Sequence, residues 1–207
     1  MYPGIGGILA KFLHVGCGQK TKSETTEGFN SVGWDEIRFD IDERVNPDIQ
    51  GTILNMENVD SGSVDAVYSS HNIEHVYPHE VDIVIREFVR VLSPGGFAVI
   101  ECPDLQSVCK LVAEDKLLDA AGSSPAGPIA PIDILYGHRP SLQQGNIYMA
   151  HKTGFTLKVL MSALKANGFK SVVGMRREDS FNLYVAAFKE TTPSEKMREV
   201  AKNHFPS

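Results

Sequence analysis

Two glycines one residue apart, Gly16 and Gly18, follow the short apolar run Phe12-Leu-His-Val15. Glycine has no Cβ, so both positions accept positive φ and let the backbone approach a flat or phosphorylated ligand at the end of a buried strand. Asp40 stands 22 residues past Gly18, after a second apolar run. A carboxylate at that distance can accept hydrogen bonds from both hydroxyls of a ribose. The dinucleotide fingerprint G-x-G-x-x-G would need glycine at position 21, where the chain has Thr21. A ligand with a ribose but no pyrophosphate therefore fits better than a nicotinamide or flavin dinucleotide, because it makes less demand on a helix N-terminus.

A second group of reactive side chains lies in Ser69-Ser-His-Asn-Ile-Glu-His75. An unperturbed imidazole titrates near neutrality, so His71 is a candidate general base toward a hydroxyl nucleophile. His71 and His75 are four apart, a spacing that can bind zinc from one helical face. Glu74, however, adjoins the second histidine and not the first, and no third ligand stands nearby in the sequence. No metal site is expected, and His75 is expected to lock its loop by hydrogen bonding. Glu101, Asp104, Tyr136, His138, Tyr148 and His151 are further candidates for structure or for holding a substrate.

These residues need elements to position them. Strand-like runs at about Lys11–Val15, Glu36–Phe39, Pro47–Ile53, Val64–Ser69 and Phe97–Glu101 alternate with helical or loop segments, which argues for a parallel sheet wrapped by helices. The polar stretch 19–33 predicts a shortened helix or a loop. Val81, Val84, Ile85, Phe88, Val89 and Leu92 recur at helical spacing across 78–92, and Ser93-Pro-Gly-Gly96 predicts a helix stop before the fifth strand. Helices are expected over 105–120 and 157–167, then two antiparallel strands at 170–176 and 181–188 and a partly helical tail from Pro193. Between them, 121–150 carries eight Gly and Pro residues without periodicity, and a segment of that length predicts a lid over a substrate.

The 207 residues fit one domain, 1–207, with the lid or insertion at about 105–150. There are 20 Lys and Arg against 26 Asp and Glu, giving a net charge of −6, and no run of five like charges. This disfavours a nucleic-acid partner. Cys17, Cys102 and Cys109 form no C-x-x-C, and a reducing cytoplasm is the expected location. The opening residues Met1–Ala10 lack a basic region and are broken by glycine, so neither a signal peptide nor a membrane span is expected.

Taken together, Leu13-His-Val-Gly-Cys-Gly18, Phe39-Asp-Ile-Asp42, Ser63-Val-Asp-Ala-Val-Tyr-Ser-Ser-His-Asn-Ile-Glu-His75 and Arg86-Glu-Phe-Val-Arg-Val-Leu-Ser-Pro-Gly-Gly96 with Pro103-Asp104 resemble the class I S-adenosylmethionine-dependent methyltransferases. Within that class the likeness is to small bacterial proteins of the methyltransferase type 11 kind. The resemblance implies a doubly wound, seven-stranded, mostly parallel α/β sheet with an antiparallel last strand, and S-adenosylmethionine as cofactor. It implies that Gly16, Cys17 and Gly18 line the methionine part, Asp40 holds the ribose, Ser69, Ser70 and His71 border the methyl, and the adenine contact falls at Thr52, with the Ile53 backbone and the Asn55 or Met56 side chains as substitutes. Relatives often carry an acid where this chain has Thr52, and a third small residue where it has Gln19-Lys20. The implied reaction is methyl transfer to a small-molecule, sugar or glycan-precursor acceptor, with Tyr136, His138 and His151 as candidate acceptor contacts. A non-catalytic cofactor-binding relative and a nicotinamide-dependent oxidoreductase are the alternatives.

Overall fold

The structure is a computed structural model that describes residues 9–124 and 127–206. The expectation of no leader falls mainly on residues outside that range. Its strands are β1 (Ala10–Val15), β2 (Trp34–Asp40), β3 (Ile49–Gln50), β4 (Val64–Ser70), β5 (Leu92–Pro103), β6 (Gly122–Ser124), β7 (Gly127–Ile129), β8 (Ser171–Arg177) and β9 (Asn182–Phe188). Seven of them form one sheet in the order β3-β2-β1-β4-β5-β9-β8, and β6 and β7 pair as a separate hairpin. β1 to β5 run parallel, whereas β9 is antiparallel to both β5 and β8. The strand order reverses between β1 and β4, where open α/β sheets place their ligands beyond the strands' carboxyl ends.

Alternation along the strands divides the core in two. Leu13, Val15, Val67, Ala98 and Ile100 face one side, where helices α2 (Val81–Val91) and α6 (Leu157–Ala166) pack. Phe12, Ala66, Tyr68, Phe97 and Val99 face the other, against Phe29 of α1 (Glu27–Asn30) and Val200 of α7 (Ser194–His204). The expected short helix is therefore α1, a single turn. Its Gly28 lies so close to the buried His204 ring that a Cβ there would sit 2.5 Å from the imidazole. Thr26 Oγ1 bonds His204 Nδ1 at 2.6 Å, and burial pushes the His204 pKa down to about 4.

Three boundaries differ from the sequence expectation. Ser93–Gly96 does not precede the fifth strand but is a bulge within it: Leu92 already pairs with Val64, and the register resumes at Ala66 and Phe97. α3 (Leu105–Ala113) ends well before 120, because Asp115 takes φ 61 and Lys116 N–H returns to Leu111 C=O at 3.0 Å. That is a Schellman stop built on aspartate, where glycine would have been the readable signal. The segment 121–150 is also not without structure: it holds the β6–β7 hairpin, α4 (Pro131–Tyr136) and α5 (Arg139–Gln143).

Candidate active site

The loop after β1 is built from backbone bonds. Gly16 and Gly18 have φ 64 and 54, and Gly16 N–H donates to Phe39 C=O at 2.9 Å. A Cβ on Gly16 would lie 2.5 Å from Asn72 Cγ, whereas one on Gly18 would meet nothing within 4 Å. Gly16 thus lets the β4 loop close in, and Gly18 leaves space for a ligand. Asp40, 8 % exposed, accepts from Gly18 N–H at 2.8 Å and from Asp42 N–H at 2.9 Å. Each carboxylate oxygen keeps a second lone pair for a ribose hydroxyl.

Arg38 supplies what the absent third small residue does not. Its guanidinium donates to the carbonyls of Gly18 (2.6 Å), Asn46 (2.8 Å), Val45 (3.1 Å) and Lys20 (3.2 Å). The nucleotide-facing loop is therefore pinned to the loop after β2. Sequence reasoning missed this residue, because an arginine in a strand has no signature of what its side chain reaches. At position 21, Thr21 caps a 3₁₀ turn over Lys22–Glu24, and no long helix starts there to receive a pyrophosphate.

Gly16, Gly18, Asp40, Thr52, Ile53 and His71 come together around a cavity of about 290 Å³. Tyr148, Met149 and Lys152 close its far wall. Thr52 Oγ1 is turned inward to accept Leu54 N–H at 3.3 Å, and Ile53 is an apolar wall. Cys17, Ser69 and Ser70 are not among the wall residues. Cys17 is packed in the core, where burial pushes its thiol up to about 11, and its N–H is used by Phe39 C=O at 3.3 Å. Ser69 and Ser70 lie within β4, flanked by paired strands on both sides, and Ser70 Oγ donates to Glu101 Oε2 at 3.0 Å.

A second cavity, about 520 Å³, adjoins the first, and His71, His75 and Met149 line both. His138 and His151 line this second space, together with Asp133 of α4. Tyr136 does not: its ring is largely exposed and borders a smaller pocket of about 170 Å³. Asp104 is structural, capping α3 through Gln106 N–H and pairing with Arg176 at 2.5 Å. The end of the 121–150 segment is stitched to the β4 loop. Lys152 and Thr153 N–H groups donate to Glu74 C=O at 2.8 and 3.2 Å, and His75 Nδ1 lies 3.0 Å from Ala150 C=O.

His71 stands at the junction in a left-handed conformation, φ 49, which a non-glycine residue adopts at a cost. Its Nδ1 is 3.5 Å from Glu74 and its Nε2 3.5 Å from Glu101. The ring is 43 % exposed toward the cavities but withdrawn from bulk water, which opposes its charge. Hydrogen bonding and attraction from Glu101 and Glu74 outweigh that and push its pKa up to about 10. Glu74 and Glu101 thus favour the charged form of the ring, an environment the sequence reading did not include.

Residues 13–100 match the family described as the methyltransferase domain. They contain the Gly16–Gly18 turn, Asp40, and the Ser69–His75 segment. That match spans 88 of the 207 residues and marks this stretch as a methyltransferase domain. No curated protein matches the chain in sequence. Its fold is that of solved methyltransferases. A Thermotoga maritima protein described as a possible histamine N-methyltransferase is 14 % identical with TM-score 0.56, over 87 % of this chain and 82 % of that one. A Methanosarcina mazei methyltransferase is 16 % identical with TM-score 0.56, over 89 % and 94 %. The Burkholderia thailandensis 1,6-didemethyltoxoflavin-N1-methyltransferase, solved with 1,6-didemethyltoxoflavin and S-adenosylhomocysteine, is 14 % identical with TM-score 0.56, over 88 % and 72 %. The open space at Gly18 beside the Asp40 carboxylate has room and acceptors for the ribose and methionine parts of an S-adenosylmethionine-type nucleoside. No helix among the described residues is long and apolar enough to cross a membrane.

Proposed function

We propose that this methyltransferase acts on a small-molecule acceptor held in the 520 Å³ cavity, under a lid formed by about residues 105–150. The carrying observation is that this cavity meets the Gly18–Asp40 cavity at His71, His75 and Met149. A donor bound in one and an acceptor bound in the other would face each other across that junction. S-adenosylmethionine supplies an activated sulfonium methyl, so the protein's task is to align the nucleophile and exclude water.

In this reading Asp40 holds the ribose, the Gly16–Gly18 backbone receives the methionine part, and Thr52 and Ile53 flank the base. His71, fixed by Glu74 and Glu101, borders the reacting atoms. His138 and His151 orient the acceptor, and the stitches from Lys152 and Thr153 to Glu74 keep the lid's end against the β4 loop. The walls of the acceptor cavity mix apolar Ile129 and Ile134 with Asp133 and the two histidines, which suits a partly polar small molecule better than a nucleic acid strand. The test is transfer of labelled methyl from S-adenosylmethionine to a panel of small hydroxylated, aminated and sugar compounds, with and without His138→Ala. Labelling that depends on His138 supports the reading. Labelling of RNA or protein alone, unaffected by His138→Ala, would overturn it.

A further inference from the structure

Glu74 poses a problem that the methyl-transfer site does not solve. It is 1 % exposed, and apart from the His71 ring at 3.5 Å neither carboxylate oxygen has a hydrogen-bond partner. Its one close cation is His71, at 3.5 Å. His71 offsets part of the cost of withdrawing this carboxylate from water, and the lone pairs it does not engage stay open. Two ring nitrogens face the same point. His75 Nδ1 lies 3.0 Å from Ala150 C=O and His151 Nδ1 lies 2.7 Å from Ile134 C=O. A carbonyl only accepts, so Nδ1 donates in both rings, which leaves Nε2 of each as the atom available to a ligand. The ligand atoms of Glu74, His75 and His151 all lie within 4.8 Å of one another, and His151 Nε2 is 4.0 Å from Glu74 Oε1. Three candidate ligand atoms converge.

We propose that Glu74, His75 and His151 bind a divalent transition-metal ion, of the zinc or iron(II) class. Two imidazoles and one carboxylate are a donor set that such ions take, leaving coordination positions free. The backbone carbonyls on both Nδ1 atoms are the orienting partners that metal-bound histidines use. Ligand distances of about 2.0–2.2 Å require the three atoms to draw in by roughly an ångström. Because Glu74 and His75 lie on the loop after β4 and His151 on the lid, the ion clamps the two together. Its free positions face the cavity that His75 and His151 share. There it would ligate an acceptor hydroxyl, whose proton passes to bulk water more readily for being bound. That role rests on the methyl-transfer reading, whereas the binding of the ion does not. The third ligand, His151, stands 76 residues beyond His75 in the chain, which is why the sequence offered only a pair.

The full chain, stripped with a chelator, is dialysed against zinc(II) and, under nitrogen, against cobalt(II). The expected result is one ion per chain, a visible cobalt d–d absorption and a Tm several degrees above the stripped protein. His151→Gln and Glu74→Gln should each weaken zinc binding by at least about 100-fold, the scale of losing one of three ligands. Cys109→Ser should keep it, since that exposed thiol lies outside the cluster. No bound metal in the wild type, or unchanged stoichiometry in folded His151→Gln, would overturn the inference. Titrating S-adenosylhomocysteine into the same samples separates the two readings. Nucleoside binding without metal strikes only the ion site, and metal binding without the nucleoside strikes the methyl-transfer site.

Discussion

The two halves of the proposed active site are made of different material. The donor half is backbone: two glycines at positive φ, one carboxylate tied to two amides, and an arginine gripping four carbonyls, all drawn from residues 16–46. The acceptor half is side chain: His71, Glu74 and His75 from the β4 loop, Glu101 from β5, and His138 and His151 from the lid. Backbone geometry at strand ends is fixed by the sheet itself, so the donor half is as rigid as β1 and β2. The acceptor half depends on chain segments meeting across long separations, which is where one fold can change its chemistry without changing its sheet.

If the halves are separable, substitutions should move one and not the other. The largest effect is expected from Gly18→Val. A left-handed conformation costs an L-residue about 1–2 kcal/mol, and the branched side chain would occupy the donor cavity. Strain of that size is worth about 5–30-fold and the filled cavity adds to it, so S-adenosylhomocysteine affinity should fall by about 100-fold, read by calorimetry. Arg38→Ala should follow: hydrogen bonds from a charged donor contribute about 1.5–3 kcal/mol each, partly replaced by water here, so roughly a tenfold loss in the same titration is expected. His138→Ala should raise the acceptor KM by several-fold and leave the nucleoside affinity unchanged; a loss of nucleoside binding would mean that the halves are not separable.

The smallest effect on either half is expected at His204, far from both, and it sharpens the comparison by showing what a purely structural histidine does. Its folded pKa, about 4, lies below the ordinary 6.5, so the unfolded chain takes up a proton that the native ring refuses. Stability from this group is complete above pH 6.5 and is lost as pH falls through 6.5 toward 4, by roughly 3 kcal/mol in all. Denaturant melts of His204→Leu should show a shallower acid decline than wild type, with nucleoside binding at pH 7 unaltered.

The same division explains what could be read from the chain. Gly16, Gly18 and Asp40 were legible because a strand end, a tight turn and a following carboxylate are local patterns, and β1, β4 and α2 carry clean periodicity. Cys17, Ser69 and Ser70 belonged to the right segments, but Cys17 packs in the core and both serines are buried within β4. Arg38 was missed because its role lies in what it reaches, and the Glu101 carboxylate beside His71 comes from a separate stretch of the chain. The lid's helices were hidden by Pro and Gly, which here serve at helix starts and caps: Pro131 opens α4 and Gly137 ends it.

The most direct test is calorimetric titration of S-adenosylhomocysteine into wild type and Asp40→Ala, with folding checked by thermal melts. Saturable binding by wild type, about 100-fold weaker in the variant for the loss of charge-assisted ribose bonds, is the predicted result. Equal affinity in the two folded proteins would contradict the placement of the donor between Gly18 and Asp40.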